Sequence, residues 1–318
     1  MHVTTKHLLS DSNGLSEAAQ LLRAGGLVAF PTETVYGLGA DATNGTAVAR
    51  IFEAKQRPQF NPLIIHLPTQ IAAQRYADFS SEALSLAQAF WPGPLTLVLP
   101  LKQGHGLSPL VTSGLSTVGI RIPDAPLAHD LLTRCDRPIA APSANPSGQI
   151  SPTRATHVLA GLSGRIDGVV DGGACGVGVE STIIGFDGGP TLLRPGGLAL
   201  EQIEHHLGYA LRRHSETDLN APTSPGQLLS HYAPGAAVRL NAIQKNPGEA
   251  LLGFGPVKGA DLSLSPTGDL IEAAANLFEA LHALDKYDTE TIAVSPIPNI
   301  GLGRAINDRL RRAAAPRV

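Results

Sequence analysis

The stretch that decides the fold is LVAFPTETVYGLGADATNGTAVARIFEAKQRPQFNPLIIH, residues 27–66. A short apolar run from Leu27 to Phe30 breaks into Pro31-Thr32-Glu33-Thr34, and Gly37 and Gly39 then let a loop pass close to a ligand. Asn44-Gly45-Thr46 reads as a helix start, with Ala47, Val48, Ile51 and Phe52 at helical spacing. Pro58 disfavours the helical region for Arg57, so the helix is expected to finish near Lys55. The segment therefore reads strand, ligand loop, helix, basic cassette, strand. With Lys55-Gln56-Arg57 extended, both cations point to one side of the chain, which residues two apart on a helix do not do. Two cations on one side, just past a glycine-rich loop, suit a polyanion such as a triphosphate. The plainer alternative is a solvated helix end whose basic residues favour the C-terminal dipole.

A second cassette has the same grammar. AAPSANPSG, residues 140–148, follows a short apolar strand, and Asn145, like Arg57, is pushed extended by the proline after it. Ser143 and Asn145 then point the same way, and their hydroxyl and amide supply donors and acceptors for a base, ribose or phosphate.

Composition sets the outer bounds. A chain of 318 residues with 43% hydrophobic content supports two domains with buried cores. Its net charge of −3 and 16% charged residues provide no global field toward nucleic acid or anionic membrane. Cys135 and Cys175 lack CxxC spacing, so neither a zinc site nor a disulfide framework is indicated, and a reducing cytoplasm is the expected setting. No targeting segment is expected in MHVTTKHLLSDSNG, which has no apolar core of signal-peptide length. Residues 83–101 are uncharged and long enough to suggest a membrane span, but Trp91-Pro92-Gly93-Pro94 divides them into helix, turn and strand.

The remaining pattern alternates in α/β fashion. Leu15, Ala18, Ala19 and Leu22 mark a helix, Ser80 a helix cap, and residues 63–65 and 95–99 strands. Residues 102–117 are expected to form a long loop. In 118–122, Val118, Ile120 and Ile122 alternate with Gly119 and Arg121, so Arg121 stands on the face opposite the apolar one. Residues 126–135 read as a helix, 139–141 as a strand, and Ser151-Pro152-Thr153 as a cap with proline at the first helical position. Strands are expected at 167–171, 182–186 and 191–194, and a helix at 200–207 closes the first domain. A Pro/Ser-rich linker follows. Beyond it, strands at 238–240, 251–254 and 291–294 combine with helices marked by Leu270, Ala274, Leu277, Leu281 and Leu284, and by Leu302, Ile306 and Leu310. Arg304, Arg309, Arg311, Arg312 and Arg317 read as the solvated basic face of a terminal helix rather than a nucleic-acid patch.

Common nucleotide motifs fail. GLGADA, 37–42, matches the loose dinucleotide fingerprint, but it starts too far from its strand and no acid follows at the required distance. No lysine follows a glycine, which excludes a Walker A loop, and neither G-x-S-x-G nor H-E-x-x-H occurs.

The pairing of K-x-R with S-x-N, together with FPTETVYGL, resembles the YrdC-like family, in particular its two-domain L-threonylcarbamoyl-AMP synthases. The resemblance runs from PTETVYGLGADA through KQRP, NPLIIH, STVGIRIPD, APSANPSG, SPT, VEST and LRPG, then across HYAP to GLGRAINDRLRRAA. It implies a twisted open mixed sheet with flanking helices over 1–208, a linker acting as lid over 209–235, and a small C-terminal α/β domain over 236–318. It also implies that L-threonine, bicarbonate and ATP, with magnesium carried mainly on the triphosphate, give threonylcarbamoyl-AMP and pyrophosphate. A separate tRNA-modifying transferase would take the product, with no membrane involved. By match to the family's motifs, Lys55 and Arg57 are the catalytic cations, and Asn61, Thr117, Ser143, Asn145, Thr153, Arg194, His231 and Tyr232 join them at ATP. Thr34, His66, Arg121, Ser143 and Ser181 form the threonine pocket, with Arg121 forking the carboxylate. His66 is the one candidate for a general base, and no carboxylate cluster suggests metal ligands. The linker departs from the family's SPGMxYxHYAP at Gln227 and Leu229, so the lid is supported at its end, by His231 and Tyr232, and not at its start.

Two other readings stay open at this point. One is an RNA-binding or ribosome-associated module whose cassettes grip phosphates. The other is carbamoyl transfer within a larger maturation enzyme, against which stands the lack of accompanying zinc-finger or acylphosphatase-like segments.

Overall fold

The computed structural model describes residues 3–213, 230–287 and 289–316. Eleven strands form one mixed sheet in the order Lys6–Leu9, Gly168–Asp171, Val28–Pro31, Tyr36–Asp41, Ile139–Ala140, Ile64–His66, Thr117–Arg121, Leu95–Pro100, Thr182–Gly185, Thr191–Arg194, Arg212–Arg213. Helices cover its faces, and the largest core cluster lies between the sheet and the helices Gly45–Lys55 and Ser81–Phe90. A second, four-stranded parallel sheet orders Ala237–Arg239, Thr291–Val294, Glu249–Gly253 and Leu262–Ser263. It packs with the helices Leu270–Leu284 and Gly303–Ala313. That core also takes in Val35, Ile150 and Val179 from the larger unit, so the two units share an apolar seam. No described helix is long and apolar enough to cross a membrane, and residues 83–101 are a helix, a turn and a strand, as read from the sequence.

Several local expectations are corrected. Gly37 and Gly39 lie in the buried strand Tyr36–Asp41, paired antiparallel to Val28–Pro31, and form no loop, although Gly37 does line the cavity described below. Their missing side chains serve packing: a Cβ on Gly39 would stand 2.9 Å from Phe30 Cε1 and 3.0 Å from Ile139 Cγ2. The cassette Lys55-Gln56-Arg57 is not extended. Lys55 ends the helix and Gln56 is left-handed (φ 52°), with its N–H and that of Arg57 returning to carbonyls of Glu53 and Phe52. The proline's restriction reaches only Arg57, so the chain turns one residue earlier.

The SPT segment caps no helix either. The helix is Ala155–Leu162, and Ser151 instead donates its hydroxyl to Glu180. The expected loop at 102–117 contains the short helix Pro109–Thr112, capped by the Ser108 side chain. The strand Lys6–Leu9 at the sheet edge carried no sequence signal, because its exposed edge position leaves only Leu8 buried. Arg309 is fully buried, not solvated, whereas Arg311 is exposed as expected. Gln227, Leu229 and Arg317 lie outside the described residues. The edge strand Arg212–Arg213 falls within the stretch read as linker.

Candidate active site

The site forms where the second and third strands of the N-terminal unit, the two cassettes and the chain after the linker meet. A cavity of about 60 Å³ is lined by Arg57, His66, Arg121, Ser143, Ser181, Arg194, His231 and Tyr232, all expected at the site, and by Glu180, which was not. It is much smaller than the roughly 300–1,000 Å³ of an ordinary small-molecule pocket.

The guanidinium of Arg121 is the best-defined feature. Its strand, Thr117–Arg121, pairs with Ile64–His66 so that Arg121 stands opposite His66 in register. Arg121 Nη1 donates to Thr34 Oγ1 at 2.8 Å, and Nη2 lies 2.6 Å from Glu33 Oε1 in an ion pair without hydrogen-bond alignment. Nε also donates to Gly93 O at 3.4 Å, so the guanidinium is fixed with one carboxylate already beside it, and a ligand carboxylate would share or displace Glu33. Burial first, and the Arg121 charge second, press the His66 imidazole down to about 3. His66 therefore stays neutral at ordinary pH and is too weak a base to take a proton from an ammonium.

The rest of the site is built from buried cations. Lys55 Nζ donates to the carbonyls of Ser143 and Asn145, which ties the first cassette to the second. Burial, then the neighbouring Arg57, lower its pKa well below that of an ordinary lysine. Arg57 donates from Nε to Asn61 O (3.2 Å) and from Nη2 to Pro62 O (2.9 Å), and burial brings its pKa down to about 10. Arg194 donates to the carbonyl and hydroxyl of Ser181, and burial lowers it too. Ser181 in turn exchanges a 2.7 Å hydrogen bond with Thr96. Lys55 and Arg57, whose side-chain nitrogens donate to carbonyls, are costly to bury until an anion joins them.

Several polar atoms here are buried without a partner. Among the described residues, buried side-chain atoms without a hydrogen-bond partner belong to Asn61, His66, Arg121, Asn145, Thr153, His231, Glu33, Ser263 and Arg309. The first six are expected site residues. Of these six, His66, Arg121 and His231 line the cavity and Asn61, Asn145 and Thr153 do not, and each such group costs about 1–3 kcal/mol if nothing meets it.

Not every expected residue reaches the cavity. Thr34 acts through Arg121, and Lys55 through the two carbonyls. Thr153 and Asn145 stand behind the lining, and half-buried Thr117 lines a separate small cleft with Thr112 and Val118. His231 and Tyr232 are seated against the cassette: Ala233 N–H donates to Gly148 O at 2.8 Å, and Tyr232 is left-handed at φ 61°. Burial takes the His231 imidazole to about 3.

Sequence reasoning missed Glu180. Burial alone would raise its pKa, but Arg309, Arg194 and the Ser151 hydroxyl together hold it below the usual carboxylate range. Its only signal was its place beside Ser181 in VEST. The described residues contain no group of three or more His, Cys, Asp or Glu side chains able to hold a metal, and both Glu180 oxygens are already engaged, by Ser151 and Arg309. These side chains do not fit a protein-held magnesium.

The structure thus defines a small cleft lined by the buried arginines Arg57, Arg121 and Arg194 on an open mixed sheet. The family model for Sua5, YciO and YrdC, described as "Telomere recombination", matches residues 20–196, and that of the threonylcarbamoyl-AMP synthase C-terminal domain matches residues 198–315. The chain belongs to this Sua5/YciO/YrdC family, in its two-domain form. It is 44% identical to the threonylcarbamoyl-AMP synthase of Bacillus subtilis, over 99% of this chain and 96% of that one. The synthase of Pyrococcus abyssi is 42% identical over 95% of this chain and 94% of its own. The crystal structure of P. abyssi Sua5 complexed with L-threonine superposes with a TM-score of 0.90, at 39% identity, covering 98% of both chains.

Proposed function

We propose that this protein is an L-threonylcarbamoyl-AMP synthase, joining L-threonine, bicarbonate and ATP with release of pyrophosphate. The observation that carries the reading is a single cavity lined by three buried arginines, Arg121, Arg57 and Arg194. Threonine's nitrogen bonds to the carbon of bicarbonate, water leaves, and a carbamate results. A carbamate oxygen then attacks the α-phosphorus, the bond to the β-phosphate oxygen breaks, and pyrophosphate departs. The carbamate and the triphosphate are both anionic, so fixed cations act by offsetting their repulsion and holding the partners in line. Arg121 holds the threonine carboxylate, with Thr34, His66 and Ser181 around it. Arg57, Arg194 and the Ser143/Asn145 cassette meet the phosphates and nucleoside, and Lys55 keeps the two cassettes together. Magnesium would ride on the phosphates.

The same reading gives residues 209–235 the role of a linker that opens to admit nucleotide, between the units 1–208 and 236–318. It places the protein in the cytoplasm, upstream of a transferase that passes the threonylcarbamoyl group to tRNA. An RNA-binding module fits less well, because Lys55 and Arg57 are buried and present no surface to a phosphate backbone. The test is pyrophosphate release from ATP with threonine and bicarbonate each omitted in turn. Release should require both; equal release with either missing sinks the assignment.

A further inference from the structure

Helix Gly303–Ala313 of the C-terminal unit contributes no side chain to the cavity lining, yet it touches both walls of it. Arg309, fully buried, donates from Nε to Glu180 Oε2 at 2.8 Å and from Nη1 to Pro195 O at 2.9 Å and Asp308 Oδ2 at 2.7 Å. Its guanidinium carbon also lies 5.1 Å from the centre of the Tyr232 ring. From the same helix, the carbonyl of Arg312 accepts the N–H of His231 at 3.2 Å. Glu180 passes the contact on, since its other oxygen accepts the Ser151 hydroxyl at 2.5 Å, and the Ser151 carbonyl accepts from His282 Nε2 of helix Leu270–Leu284 at 3.1 Å.

A buried cation shared among two carboxylates, a carbonyl and an aromatic face is an expensive way to glue two units that already share an apolar seam. What it supplies beyond adhesion is geometry. One planar group fixes Glu180 on the wall beside Ser181 and Tyr232 on the wall facing it.

Resting on the synthase reading above, we propose that Arg309 is a positioning residue of the site, which sets the Glu180 wall and the His231-Tyr232 wall relative to each other from within the C-terminal unit. This gives the C-terminal unit a part in the chemistry: it holds the closed walls in register while remaining outside the reaction.

The test uses the full chain with Arg309→Met, Arg309→Lys and, as a control on adhesion between the units, Arg304→Ala, whose ion pair with Glu201 crosses the same boundary at the surface. Two readouts are taken on variants shown to be folded by circular dichroism. One is chymotryptic cleavage after Tyr232, read by mass spectrometry at doses that leave both C-terminal helices uncut. The other is calorimetric binding of L-threonine and of a non-hydrolysable ATP analogue. Arg309→Met should speed the Tyr232 cut and weaken both ligands, each by about tenfold or more, while Arg304→Ala stays within about twofold of wild type. Arg309→Lys, which keeps a charge for Glu180 but has no plane to lay over Tyr232, should fall between, and it decides the matter if Arg309→Met does not fold. Wild-type cleavage and wild-type affinities in folded Arg309 variants would overturn the proposal and leave the residue as core. If wild type itself binds neither ligand, the synthase reading falls, and the Tyr232 cleavage still judges Arg309.

Discussion

At the scale of single residues, the synthase proposal makes Arg121 the position on which substrate choice turns. Its Thr34 and Glu33 contacts fix the guanidinium before any ligand arrives. Arg121→Ala should raise the threonine KM steeply and leave that for ATP nearly unmoved, since a buried charge-assisted pair is worth about 2–5 kcal/mol to the one substrate that makes it. The substitution also strands Glu33 as an unpaired buried carboxylate, so the Arg121→Ala, Glu33→Gln double variant should be run beside it. Steady-state kinetics with each substrate varied is the check, and equal shifts in the two KM values would show that this arginine serves the nucleotide. Arg121 was legible in the sequence because strand alternation alone sets it apart from Val118 and Ile120. Glu180 was not, because its importance comes from Arg309 and Ser151, residues distant in sequence whose meeting no local pattern encodes.

Among the elements, the strand Tyr36–Asp41 repays attention since its glycines were read as loop-formers. Apolar residues at 36, 38 and 40 alternate with glycines, which fits a strand as well as a loop; the deciding fact is the tight approach of Phe30 and Ile139 over Gly39. Gly39→Ala should therefore destabilise the fold by about 1–3 kcal/mol through overpacking, visible as a lowered melting temperature. Gly37→Ala should do less, because its nearest neighbour, Ala141 Cβ at 3.2 Å, is farther away. A neutral Gly39→Ala would mean that the strand can shift to make room. Similarly, the helix end at Lys55 was legible from Pro58, but its left-handed Gln56 was not. Only the requirement that Lys55 reach the carbonyls of Ser143 and Asn145 while Arg57 reaches those of Asn61 and Pro62 selects that turn.

For the whole molecule, burial of neutral imidazoles gives a pH signature. His66 and His231 are pressed to about 3 and His157 to about 4, against 6.5 when exposed, with burial the leading cause in each. Between those limits the unfolded chain binds protons that the folded chain refuses, so stability rises with pH there. The contribution is complete above the unfolded value and is lost as pH falls toward the folded ones. Urea midpoints should therefore drop from pH 7.5 to pH 5, and His157→Gln, which removes one such group outside the cavity lining, should flatten the slope. A midpoint independent of pH over that range would mean these imidazoles are not kept neutral by folding.

The sequence by itself determined the alternation of strands and helices, the buried spans and the places of the two cassettes, while most of the residues around the cavity were implied by the family resemblance. These are set by periodicity, by prolines acting on their neighbours, and by motifs whose members lie close in the chain. Tertiary structure alone decided that Lys55 braces rather than lines the site, that Ser151 serves Glu180 instead of capping a helix, and that Arg309 is buried at the cavity's back. The physical reason is the same in each case. A charged or hydroxyl side chain takes whichever partner burial brings to it, and that partner is fixed by the meeting of distant segments, not by the neighbours a sequence displays.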